Sequence, residues 1–357
     1  MSLTNPSNAR VYYPIHAIGF GPLGTPIGTG VNAPTGRYTA AKGVQSVGFN
    51  TSFNLEQVYE LGQISIYENI ENLPSVELNI SKVIDGYALL EHLATPTATT
   101  ATLAGRYNSN RCMAAVAYYN ISQEFSSGVP LSIMVMSGLY VSAINWAIPV
   151  EGNMTESITL VANDKTWYTA PSGNLWTSGT LFTGSESPVT GVPSGGVQRR
   201  ENVDIGNSYF PLGIPGISGN NLSGKVQVYA DGSFSAHIQS INIGCSLGRT
   251  DLFELGRKGP YFRYANFPTE VTCSIEVTSD EYGDRTNASS TADNLVDERI
   301  YIALTQGVTL DLGVKNKLQN VQTNGGDTGG GNVTLTYNYS NFNDLTVRFT
   351  AKDPAGL

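Results

Sequence analysis

The sequence predicts a mainly β protein built from two tandem units. Three observations carry this. Glycine is abundant, at 39 of 357 residues, and charged residues make up only 14%. With plentiful Ser, Thr and Asn, that composition suits strands joined by many turns, where glycine supplies the positive φ angles. Apolar and polar residues alternate with a period of two in many segments, as strands with one buried face require. The third observation is an internal repeat. The stretch Val44–Gly62 is met again as Ile238–Gly256, 194 residues later and without a gap. Over 44–74 against 238–268, nine of 31 positions are identical, including Glu60-Leu61-Gly62 and Glu254-Leu255-Gly256. Pairs such as Val44/Ile238, Phe53/Leu247 and Tyr59/Phe253 keep their apolar character. The unit is too long for a solenoid repeat, so a tandem pair of domains is expected.

In chain order, residues 1–35 form an N-terminal arm, because Pro14, Pro22, Pro26 and Pro34 exclude a regular helix. Its apolar residues, among them Val11, Tyr13, Ile18 and Phe20, suit packing on another subunit or a lead-in strand. The first domain is placed at 36–170. Val44–Ser52 reads as a strand. Leu55–Gly62 is either a helical turn or a strand ending in a glycine turn. Gln63–Ile70 and Ser75–Val83 alternate as strands. Asp85–Leu93 is the best helix candidate, with Asp85 as N-cap and Leu89, Leu90 and Leu93 on one face. Cys112–Ile121, Leu131–Met136 and Gly138–Ala147 are apolar runs read as three core strands, and 157–162 and 166–169 as shorter ones.

Residues 171–222 form a connector rich in Pro, Ser, Gly and Thr, too long to be a simple turn. Tyr209–Leu212 gives it an apolar anchor, so it is expected to drape over a surface. The second domain, 223–357, opens with a hairpin and then the repeat. One residue is gained after Pro268, so that Ser274–Val277 falls where Asn79–Lys82 stood. The second helix slot, 279–293, is polar. Strands are expected at 300–304, 308–312, 333–339 and 345–349.

The net charge of −9 argues against a protein that grips nucleic acid through its phosphates. It is compatible with a wall that lets DNA slide past. The charge is negative in both halves, −5 over 36–170 and −4 over 223–357. Three cysteines, Cys112, Cys245 and Cys273, match no zinc or redox spacing and are expected as free thiols. No secretory leader and no membrane span is read, so membrane insertion is not expected.

No residue combination points to catalysis. His16, His92 and His237 have no ligand or triad partners at a telling spacing. Gly19-Phe-Gly21-Pro-Leu-Gly24 matches the dinucleotide fingerprint by letters only, since Pro22 and Pro26 forbid the helix that the motif needs. Glu68 and Glu71 fit a solvated strand edge better than a carboxylate pair. No catalytic, cofactor-binding or metal-binding residue is assigned, and no cofactor is expected. Arg257–Tyr264 interleaves basic and aromatic residues and is expected to be a subunit contact or strand packing.

The segment from Val44 through Glu60-Leu61-Gly62, Tyr67-Glu68-Asn69-Ile70, Pro74–Ile80 and Lys82–Gly86 resembles the front half of bacteriophage tail tube proteins. The resemblance covers 40–93 well and 238–277 more weakly. It implies a small β-barrel or sandwich in each unit with at most one flanking helix. It also implies strand pairing around rings that stack into a tube for DNA. Six tube domains normally make a ring, so a chain with two implies a homotrimer of pseudo-sixfold symmetry, with a homohexamer as the alternative. Partners implied are further copies of the chain and other tail proteins such as sheath, baseplate or terminator. DNA would pass without specific binding. The implied location is the virion tail, after synthesis in the host bacterial cytoplasm. The competing readings are a baseplate hub or tube-initiator ring and a β-sandwich module that binds carbohydrate or a receptor. The polar second helix slot departs from the pattern.

Overall fold

The computed structural model describes residues 16–25, 38–98, 100–119, 130, 132–169, 182–183, 196–218, 225–226, 232, 234–257, 259–279, 296–305, 307–325 and 331–349. Most of the expected arm, much of the connector and the polar slot at 280–295 lie outside them.

The first half runs β1 (His16–Pro22), β2 (Tyr38–Ala40), β3 (Val44–Ser52), β4 (Leu55–Tyr59), β5 (Ile66–Glu71) and β6 (Ser75–Val83). Helices α1 (Leu90–Ala94) and α2 (Leu103–Tyr107) follow, then β7 (Cys112–Tyr118), β8 (Ser132–Pro149), β9 (Thr155–Ala162) and β10 (Asp164–Thr169). Between the halves lie β11 (Phe182–Thr183) and β12 (Ile217–Ser218). The second half runs β13 (Lys225–Val226), β14 (Ile238–Ser246), β15 (Arg249–Leu252), β16 (Phe262–Ala265) and β17 (Glu270–Thr278). It ends with β18 (Tyr301–Ala303), β19 (Val308–Asp311), β20 (Lys317–Asn324), β21 (Thr334–Phe342) and β22 (Thr346–Phe349).

The mainly β expectation holds. One strand, β8, organises the rest. It is 18 residues long and serves two sheets. Its first part pairs with β7 and β10, its last part with β9 and β14. Through it runs an eight-strand antiparallel path, β3-β6-β9-β8-β14-β17-β21-β20. The first four strands come from the first half and the last four from the second. Among the described residues the path is open. Its terminal strands, β3 and β20, each have a partner on one side only, and neither half closes into a barrel.

The register is the same in both halves. Val44 faces Lys82 with Gln45 bulged, and Ile238 faces Val277 with Gln239 bulged. Ile238 lies 194 positions beyond Val44, and Val277 lies 195 beyond Lys82, which agrees with the single residue gained after Pro268. In β8·β9, Ser142 is bulged between the pairs Val141↔Leu160 and Ala143↔Thr159. In β20·β21, Gln319 is bulged between Leu318↔Tyr339 and Asn320↔Asn338. Asn320 is 177 beyond Ala143, and Asn338 is 179 beyond Thr159. The same two offsets carry the pair Met134↔Trp167 onto Asp311↔Thr346.

Three expectations need correction. The runs read as separate strands at 131–136 and 138–147 are, from Ser132 on, one strand, because Gly138 at φ +64° bends the chain without ending the ladder. The first half carries two short helices, α1 and α2, where at most one was expected. The helix placed at Asp85–Leu93 begins only at Leu90, and Asp85 is not its N-cap. Gly86 sits at φ +75°, which breaks the helical path early, and Asp85 instead accepts from the Tyr87 N–H and pairs with Lys82. The open question at Leu55–Gly62 resolves as strand β4 and a turn at Gly62, φ +91°; Gly256 repeats it at φ +83°.

The buried side chains of both halves form one continuous cluster, running from Val76, Leu78 and Ile80 through Trp146 to Ile243, Ile275 and Tyr337. A second, smaller cluster lies on the other face of β7 and the first part of β8, under Tyr38 and Phe182. Burial on both faces is why 112–118 reads as an unbroken apolar run. Of the expected connector, the described part 196–218 packs on the core, with Phe210 buried. It straps the halves together. Gln198 bonds to Ile84 and Met154 of the first half, while Asp204 and Tyr209 bond to Ala303 and Tyr301 of the second.

Candidate functional site: sheet edges and an open face

The most informative surface is the pair of sheet edges. β3 and β14 occupy the same register in their halves, but β14 lies inside the sheet and β3 at its end. Burial follows position. Leu247 is 1% exposed and Ile243 is 0%, whereas their counterparts Phe53 and Phe49 are 72% and 39% exposed. Phe53 therefore stands largely in the open at the sheet edge, and Phe49 is only partly covered, meeting Trp167 edge-on at 6.4 Å beside Lys165. An uncovered strand edge is a template for pairing with another chain.

The internal joint indicates what covers such an edge. β14 lies antiparallel on β8, with Ile243 opposite Trp146 and Ser246 opposite Ala143. The joint continues past the strand end, where the Leu247 N–H donates to the Ser142 carbonyl at 2.8 Å. The hairpin β15–β16 then reaches over the first half. Arg249 Nε donates to the Val141 carbonyl at 2.8 Å, and its terminal nitrogens donate to Tyr107 at 2.7 Å and Asn108 at 3.2 Å. Burial lowers the Arg249 pKa to about 10, still high enough to keep its charge at neutral pH. Phe262 meets Tyr140 edge-on, with centroids 6.3 Å apart. Arg263 bridges Asp251 and Asn163. The counterpart hairpin β4–β5 has the same register, Leu55↔Glu71 for Arg249↔Ala265 and Val58↔Glu68 for Leu252↔Phe262. Yet β4 and β5 are exposed almost throughout, with Leu55, Tyr59, Ile66 and Ile70 in the open. The tips of both hairpins carry a fully exposed leucine, Leu61 and Leu255.

The eight-strand sheet has one core face and one open face, as the alternating burial along β6, β9, β17 and β21 records. The open face is Ser, Thr, Asn and Gln almost throughout, for example Asn50, Asn79, Thr159, Asn145, Asn242, Thr272 and Asn338. Among the described residues its charges are Glu77, Glu270 and Glu276, and no Lys, Arg or His lies on it inside the rim residue Lys317. Many of these groups satisfy one another. Asn79 Nδ2 donates to Glu77 at 2.9 Å, the Thr159 hydroxyl to Asn79 at 2.7 Å and Asn338 Nδ2 to Asn320 at 2.6 Å.

Sequence reasoning misses a buried ionic cluster in the first half. Lys82 Nζ donates to the Ala88 carbonyl at 2.8 Å and pairs with Asp85 at 3.2 Å. Glu156 accepts from the Leu90 and Glu91 N–H groups at 2.6 and 3.0 Å, acting as the cap of α1. Glu91 meets Arg106 at 2.6 Å, the Tyr107 hydroxyl at 2.9 Å and His92. Burial raises the Glu156 pKa to about 7 against the pull of Lys82 and the two N–H donors. A signal was available, because Lys82 and Glu156 stand in the parity of Ile80 and Ile158, on the core face.

The remaining candidates do not converge. Glu68 and Glu71 are exposed on β5. Gly19 and Gly21 lie on strand β1, and Gly24 in the turn after it. The three cysteines are free and buried, and burial pushes the Cys245 and Cys273 thiols up to about 12. Arg257 pairs with Glu254, and Phe262–Tyr264 is part of β16, packed on the first half. Among the described residues no group of three His, Cys, Asp or Glu side chains is placed to hold a metal. No described helix is long and apolar enough to cross a membrane.

No family's sequence profile matches this chain, and no curated protein matches it by sequence. Solved structures with partial similarity include the tube-terminating cap of the anti-feeding prophage, at 12% identity and TM-score 0.32, covering 48% of this chain and 100% of that one. The six-fold symmetrised baseplate of the same prophage aligns at 11% identity and TM-score 0.32, covering 45% and 97%. A double mutant of Hcp1 from E. coli EAEC 042 aligns at 13% identity and TM-score 0.21, covering 43% and 98%.

Proposed function

We propose that this chain is a structural subunit of a phage tail tube, forming rings that stack into a hollow conduit for DNA. The observation that carries the reading is the eight-strand path. The order β3-β6-β9-β8 is followed by β14-β17-β21-β20 in matching register, and among the described residues an unpaired edge stands at each end. This supports a duplicated unit, roughly 36–170 and 223–357, already joined once within the chain. Because the two free edges differ, copies would add head to tail, and such additions close into rings when the rotation allows. Three chains would give six units per ring. The helices α1 and α2 and the sheet β18–β19–β22 pack against the core face, so the open polar face would line the inside. A lining of neutral polar and acidic groups, many of them hydrogen-bonded to one another, offers phosphates no cationic grip.

Mass photometry and negative-stain electron microscopy of the purified chain test this. The expected result is a three-chain ring, with stacks or tubes at higher concentration. A monomer that persists at high concentration overturns the reading. A six-chain ring overturns only the stoichiometry. Single rings that never stack would favour a hub or initiator ring.

A further inference from the structure

We infer that the joint between two copies repeats the register of the internal β8·β14 joint over Gly48–Ser52 and Asn320–Asn324, with Glu68 of one copy meeting Lys317 of the next; this rests on the ring reading above. β3 would pair antiparallel with β20 of the neighbour, as β14 does with β8. Subtracting 194 from β14 and adding 177 to β8 converts the internal pairs into the external ones. Asn242↔Ala147 becomes Gly48↔Asn324, Ile243↔Trp146 becomes Phe49↔Thr323, and Ser246↔Ala143 becomes Ser52↔Asn320. Phe53 takes the place of Leu247 and comes under cover, its N–H reaching the carbonyl of bulged Gln319 as that of Leu247 reaches Ser142.

The hairpin β4–β5 then lies over the neighbour's second half as β15–β16 lies over the first. At the place where the internal joint sets Phe262 edge-on to Tyr140, the same offsets bring Glu68 to Lys317. Both are charged, of opposite sign and exposed. Lys317 sits at the start of the edge strand, 3.0 Å from Asp297, so Glu68 would bring a further carboxylate beside its ammonium group. The Arg249 clamp has no external copy, since Leu55 stands there. The internal joint is thus fixed by buried aromatic and guanidinium contacts. The external one is fixed by edge pairing, Phe53 and a rim ion pair that salt screens.

Two sets of variants of the full chain test the register. Glu68→Lys and Lys317→Glu are each expected to weaken self-association about tenfold at low salt, and the double reversal to restore it. Gly48→Cys with Asn324→Cys places two thiols directly opposite across the joint, within disulfide reach. Oxidation should give a ladder of covalent multimers, whereas Gly48→Cys with Thr323→Cys, facing opposite sides, should not. If the wild-type chain forms rings but neither the charge rescue nor the ladder appears, this register is wrong and the ring reading stands. If the wild-type chain stays monomeric, both fall.

Discussion

Lys82 and Glu156 stand opposite each other in the β6·β9 ladder, both without exposed surface, and their counterparts in the second half are the apolar pair Val277 and Leu335. The same core row is therefore ionic in one half and hydrophobic in the other. Lys82 is paired with Asp85 at 3.2 Å, so removing it leaves a buried carboxylate without its cation, while removing Glu156 leaves the Leu90 and Glu91 N–H groups without their acceptor; either loss costs about 3 kcal/mol.

Lys82→Val and Glu156→Leu, each alone, are expected to lower stability by roughly 3 kcal/mol. The double variant, which copies the second half, should fall well short of the two losses summed. It should keep a deficit of about 2 kcal/mol, because the Leu90 and Glu91 N–H groups lose their cap and Asp85 loses its ammonium partner. Urea denaturation of the four proteins gives the coupling directly. Simple additivity of the two losses would mean that the pair does not act as a unit.

The pH dependence follows from Glu156. Its pKa in the folded chain is about 7, raised mainly by burial from an ordinary value of 4.5. The folded state thus holds this proton more tightly than the unfolded one. The stability it lends is fully present below pH 4.5 and is lost as pH rises through about 7. The loss is on the order of 3 kcal/mol, since a tenfold difference in proton affinity is worth about 1.4 kcal/mol. Glu156→Gln should flatten the stability profile between those pH values. A wild-type profile already flat there would contradict the assignment.

Arg249 is the clamp of the internal joint, donating to three carbonyls on the first half. Arg249→Met keeps much of the apolar stem but leaves those carbonyls without their donor. A loss of about 2–4 kcal/mol is expected from the vacated acceptors. Faster hydrogen exchange should be confined to 107–108, 141–142 and 247–252. Uniform exchange across the chain would argue that the clamp is not a local fastener.

The repeat was legible because strands with one buried face impose a period of two, and Val44–Ser52 and Ile238–Ser246 both obey it. The extent of β8 was not. Ser137 and Gly138 look like a break, and only the paired neighbours on both sides show that the ladder runs through them. Asp85 looks like a cap because it precedes leucines at helical spacing. The cap is Glu156, 66 residues beyond Leu90, and that distance hides it from any local rule. The candidate site was the least legible part. Whether Phe53 is a core or an edge residue depends on which strand lies beside it, and its own segment is the same in either case.

The internal β8·β14 joint also has a kinetic meaning. Its two halves are tethered, so this joint forms at an effective concentration set by the chain and not by the amount of protein present. In a closed ring of such chains, half of all joints would be indifferent to dilution. The other half, running from β20 to the next β3, would alone set the concentration at which rings appear.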